Sequence, residues 1–138
     1  DSQVLFASTH QWPLYPGTGA AGETGIGNVV NAPLPPLAGS AEFRQAMTDK
    51  ILPAIDRFRP DLIMISAGFD AHWLDPLGSL NFTDEDYAWI TEELCRLADR
   101  HAEGRVVSSL EGGYDLDALA SSAAAHVKAL MDWGKGSR

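Results

Sequence analysis

The segment DLIMISA, Asp61–Ala67, is apolar at successive positions rather than at alternate ones. A strand with one face in water alternates; one that does not is covered on both faces, as in a parallel sheet flanked by helices. RVVSSLEG, Arg105–Gly112, has the same character, and two further strand-like runs precede them, VLFAST (Val4–Thr9) and NVVNAPL (Asn28–Leu34). Helical patterns lie between. One starts at Ser40 and places Phe43, Met47, Ile51, Ile55 and Phe58 three or four apart, with Pro53 expected to kink it. A second starts at Thr83, a capping hydroxyl followed by Asp84, Glu85 and Asp86 at the positive end of the helix dipole, and Gly104 ends it. A third, from about Leu116 to Met131, is expected to bury Leu119, Ala123, Val127 and Leu130, leaving residues 132–138 as a frayed tail. The order predicts an α/β domain with a mainly parallel sheet flanked by helices.

In open sheets of this class the ligand lies beyond the carboxyl ends of the strands. Three such ends run into Gly-rich loops bearing reactive side chains: HQWPLYPGTGAAGETGIG after the first, GFDAHWLDPLG after the third and EGGYD after the fourth. Asp70 and His72, two apart, share a side if the strand stays extended, and such a pair suits two ligands of a divalent metal; equally, Asp70 caps a turn and His72 packs at its edge. Tyr114 follows Gly112 and Gly113, a turn able to aim a phenol at a developing oxyanion or to fold it onto the core. Asp75 before Pro76 reads as a turn former, and His10 as structural. His101 and His126 fall on predicted helices and are set aside. No G-x-S-x-G elbow or phosphate-binding loop is present, and GTGAAG (Gly17–Gly22) lacks the strand and helix a dinucleotide site needs.

Composition narrows the partners. Against 10 Lys+Arg stand 19 Asp+Glu, a net charge of −9 in 138 residues, which disfavours a nucleic-acid backbone. The single cysteine, Cys95, excludes an internal disulfide and a Cys-rich zinc site and reads as a buried thiol. No apolar run approaches the roughly 20 residues that span a bilayer, so the expectation is a cytoplasmic protein without membrane contact. The chain opens almost directly in a strand and without Met, which suggests part of a longer protein.

Taken in order, YPGTG (Tyr15–Gly19), SAGFDAH (Ser66–His72) with DPLG (Asp75–Gly78), and LEGGYDL (Leu110–Leu116) resemble the zinc-dependent histone deacetylase superfamily, most of all its class II-like bacterial members, grouped with acetylpolyamine amidohydrolases and acetoin-utilisation proteins. The likeness runs from about Val4 to Leu130. It implies an arginase/deacetylase-like fold and hydrolysis of N-acyl amides, acetyl-lysine peptides or acetylated amines. It further implies that Asp70 is a zinc ligand and Tyr114 the oxyanion-stabilising residue. Tyr15, Leu14 and Leu77 become walls of the acyl tunnel, and Ser8 and Thr9 contribute to a structural K+ site. His72 is not a ligand in this family, and Leu77 stands where polyamine-selective relatives can carry an acidic residue. The family's Asp-x-His-His-Gly stretch and its His-His pair are absent from this chain. The resemblance therefore implies a C-terminal segment of one domain (residues 1–138), dependent on the N-terminal part for its metal–water machinery. The alternative is a catalytically silent module that binds acylated ligands or a partner.

Overall fold

The computed structural model describes residues 1–136. Its elements are β1 (Phe6–Gln11), β2 (Val29–Leu34), α1 (Ser40–Ala46), a π-helical turn (Met47–Ile51), α2 (Leu52–Phe58), β3 (Ile63–Ala67), α3 (Asp84–His101), β4 (Val106–Leu110) and α4 (Leu116–Gly136). All strand pairing between these elements is parallel, β1 with β2 and β3 with β4, as the unalternating strands predicted. The chain is α/β.

The pairing takes the form of two separate two-stranded sheets. A cavity of about 820 Å³ lies between them, and every residue of β1 and of β3 lines it, whereas β2 contributes only Asn31 and β4 none. The edges of β1 and β3 left without a partner among the described residues thus face the same space. Its floor is the main apolar cluster, where Phe43, Met47, Ile51, Phe69, Leu80, Phe82 and Tyr87 are buried. Tyr87 also lines the cavity, and its buried hydroxyl has no hydrogen-bond partner among the described residues.

Several boundaries differ from expectation for local reasons. β1 starts two residues later than its apolar run because its register is fixed by β2, Phe6 opposite Val29 through Gln11 opposite Leu34. The helix opened by Ser40 is capped by Gly39, and the Ser40 hydroxyl instead donates to Asp86 at 2.6 Å. The expected kink is a π-helical turn, after which Pro53 sits in the first turn of α2, where its missing N–H costs little. Thr83 caps α3 as expected, reciprocally with Asp86, and the positive φ of Gly104 follows the helix.

α4 is the clearest correction. Its buried residues are Ala118, Ser122, His126 and Ala129; of the expected stripe, Leu119 and Ala123 pack partly buried against the core, while Val127 is about half exposed. Apart from His126, the buried residues are small because α3 packs closely against α4, with Ser122 donating to Asp84 at 2.6 Å. The helix also continues to Gly136, so residues 132–136 are helical rather than frayed; residues 137–138 lie outside those described. Cys95 is buried, and burial first, then the Asp99 and Glu92 charges, pushes its thiol up. No helix among the described residues is long and apolar enough to cross a membrane.

Candidate functional site

The loops after β1, β3 and β4 meet at one end of the molecule. β3 and β4 hold their ends together: Glu111 N–H donates to the Ala67 carbonyl at 3.0 Å, and Phe69 N–H to that of Gly112 at 2.8 Å. Asp70 then lies directly over the second turn. A Cβ placed on Gly112 would fall 2.5 Å from Asp70 Oδ2 and 2.6 Å from its Cγ, so only glycine leaves room for the carboxylate there. Gly78 is excluded from carrying a side chain in the same way, because its Cβ would fall 2.1 Å from the Asp70 carbonyl oxygen. Gly78 of DPLG and Gly112 of EGGY are therefore packing requirements set by Asp70.

Burial pushes the Asp70 carboxyl up, its own N–H opposes this, and the negative charges of Asp75 and Glu111 add to the rise. A carboxylate in such surroundings is stabilised by a cation. Catalytic zinc sites normally draw on three protein donors and an open position. Among the described residues no three His, Cys, Asp or Glu side chains cluster in that way. The described residues fit one ligand of such a centre and do not by themselves make the centre.

His72 does not share a side with Asp70. β3 ends at Ala67, and the chain turns so that His72 N–H reaches the Phe69 carbonyl at 3.3 Å. The His72 ring is buried, its Nδ1 accepting from Leu74 N–H at 3.2 Å and its Nε2 lying 3.7 Å from Asp84. The extended Asp-x-His geometry is thus absent, and His72 packs into the loop.

The cavity between the sheets brings together Asp70, Leu14, Tyr15, Leu77, Ser8, Thr9 and Glu111. Tyr15 is 95 % exposed and Leu77 67 %, so both stand at the rim, with Leu14 less exposed. Ser8 Oγ meets His10 Nδ1 at 2.9 Å, while His10 Nε2 donates to the Gly19 carbonyl at 2.9 Å, a structural role for His10 that ties β1 to its loop. Tyr114 does not line this cavity. It is about half exposed, and its hydroxyl has no hydrogen bond among the described residues.

Two features went beyond the sequence. Asp75, buried, forms its own turn as expected, accepting Leu77 N–H, but it also binds the backbone N–H of Tyr114. His126 sits buried between Thr91 (2.6 Å to Nδ1) and Ser108 (2.8 Å to Nε2), with Phe69 edge-on to it. Since the Thr91 hydroxyl donates to the Tyr87 carbonyl, it accepts from Nδ1–H, and Ser108 donates to Nε2. Burial holds the His126 ring below the usual histidine value. Its helical position gave no sign that three elements converge on it or that it lines the cavity with Asp70.

Comparison with known proteins matches this arrangement to one family. Residues 1–130 match the histone deacetylase domain. The chain is 43 % identical over 135 residues to the chloroplastic histone deacetylase 14 of Arabidopsis thaliana, covering 95 % of this chain and 32 % of that protein. It is 44 % identical over 121 residues to a probable deacetylase of Archaeoglobus fulgidus, covering 85 % and 34 %. Among solved structures, the HD domain of HDA15 superposes with a TM-score of 0.84 at 37 % identity, covering 94 % of this chain and 38 % of that one. An acetylpolyamine aminohydrolase from Burkholderia pseudomallei gives 0.82 at 29 % identity, with the same coverage. The chain spans about a third of the length of these curated relatives. With its parallel strands, its converging loops and a match over nearly its whole length, the chain belongs to the histone deacetylase family.

Proposed function

We propose that the protein containing this chain is a zinc-dependent amidohydrolase that removes acyl groups from acetyl-lysine or a related acetylated amine. The observation that carries the reading is the packing of Asp70 onto Gly112, two residues before Tyr114, so that a candidate metal ligand and a candidate oxyanion donor share one rigid junction. In this reading Asp70 supplies one zinc ligand, and polypeptide outside this chain supplies the rest together with the general base. Tyr114 donates a hydrogen bond to the carbonyl oxygen as negative charge develops on it. Leu14, Tyr15 and Leu77 line the approach of the acyl chain, and Ser8 and Thr9 contribute oxygens to a structural K+. The aliphatic Leu77 at the rim favours acyl-lysine over a polycationic amine. By the same reading, the isolated chain is catalytically silent.

The test is Tyr114→Phe in the full-length protein. One oxygen is removed, so fold and zinc content are expected to stay, KM to change little, and kcat to fall about 10²–10³-fold. Near-normal turnover with a lowered melting point would assign Tyr114 to packing instead.

A further inference from the structure

Asp75 does more than shape its own turn. Its carboxylate, 7 % exposed, accepts Leu77 N–H at 2.9 Å and Gly78 N–H at 3.3 Å on Oδ1, and Tyr114 N–H at 2.7 Å on Oδ2. The first two contacts are local. The third spans 39 residues and fixes the main chain of the tyrosine itself. Tyr114 needs such a tether, because the strand before it ends at Leu110, the helix after it begins at Leu116, and its side chain is half exposed. Gly113, with φ of +139°, would otherwise leave the turn free to swing.

We infer that Asp75 is a positioning residue for the deacylation reaction: one buried carboxylate sets the Tyr114 main chain and the Leu77 rim at a fixed spacing around Asp70. The inference rests on the reading of Tyr114 as the oxyanion donor. It differs from a turn-forming role in that its effect passes through the tyrosine hydroxyl. Misplacement of a reacting group by about 1 Å can cost about 100-fold in rate. An amide in place of the carboxylate presents an N–H toward one of these donors and breaks that contact.

The experiment is a double-mutant cycle in the full-length enzyme with an acetyl-lysine peptide, joined to hydrogen exchange of the segment containing Tyr114. Asp75→Asn is expected to lower kcat about 10–100-fold. In a Tyr114→Phe background the same change is expected to cost no more than about threefold, because residues acting through one group are not additive. Exchange at the Tyr114 amide is expected to be slow in the unmutated protein, a measurement that stands even where the variant folds poorly, and fast in Asp75→Asn. Equal losses in both backgrounds, or a Tyr114 amide that exchanges like open loop in the unmutated protein, would overturn the inference. Full turnover by Tyr114→Phe alone would instead overturn the reading beneath it and the inference with it.

Discussion

Asp70 and His72 show how residues two positions apart reach different fates. Asp70 is fixed over a glycine at the junction of two strand ends, where its charge gathers with those of Asp75 and Glu111. His72 turns away and spends both ring nitrogens on Leu74 and Asp84. In the full-length enzyme, Asp70→Asn is therefore expected to lose zinc and activity together, a neutral amide being a poor zinc donor. His72→Ala is expected to keep stoichiometric zinc while losing about 1–2 kcal/mol of stability with its buried contacts. Metal analysis alongside urea unfolding checks both, and equal zinc loss in the two variants would restore the paired-ligand reading. The motif AGFDAH carried the resemblance that names Asp70 as a ligand. That the strand ends before Phe69, so that the pair diverges, is a consequence of tertiary hydrogen bonding to Gly112 that local spacing does not encode.

Among the helices, the start of α3 was readable because capping is a local interaction: Thr83 and Asp86 satisfy each other within one turn. What the sequence could not supply is why Asp86 is fully buried. It also accepts Ser40 Oγ at 2.6 Å and Arg44 Nε at 2.9 Å, so the cap of α3 is at the same time the anchor of α1. Asp86→Ala is expected to cost about 2–3 kcal/mol, more than the ~1 kcal/mol of an isolated cap, measured by urea unfolding. His126 makes a corresponding joint of α3, β4 and α4. Because its folded value lies below the unfolded 6.5, the unfolded chain binds the extra proton between the two values, and stability rises with pH through that window. Acidification from pH 6.5 is then expected to lower the melting temperature, and His126→Gln to flatten that decline while starting from a lower melting temperature at pH 7.5. An unchanged slope in the variant would place the sensitivity elsewhere.

At the scale of the molecule, the two parallel pairs and the cavity between them dominate. Unpaired strand edges are templates for association, and here the edges of β1 and β3 left without a partner among the described residues line one cavity. The purified 138-residue chain, incubated with zinc and a fluorogenic acetyl-lysine peptide, is accordingly expected to show no metal-dependent turnover and to self-associate with rising concentration in sedimentation velocity. Clear turnover by a monodisperse monomer would mean that these edges and donors need no complement.

Sequence alone determined the element order, the parallel character of the strands, the cap of α3 and the three Gly-rich loops, because each is read from contacts within a few residues or from unalternating apolar runs. The coverage of both faces expected of β3 and β4 is not met among the described residues, where Met64 and Val107 stay exposed. Tertiary structure alone decided which face α4 buries, since Val127 and Ala129 are both apolar and only the close approach of α3 selects the smaller side chain. It also decided that Asp75 serves Tyr114 and that Gly112 must lack a side chain. Those requirements are contacts between segments some 40 residues apart, which periodicity and spacing cannot register.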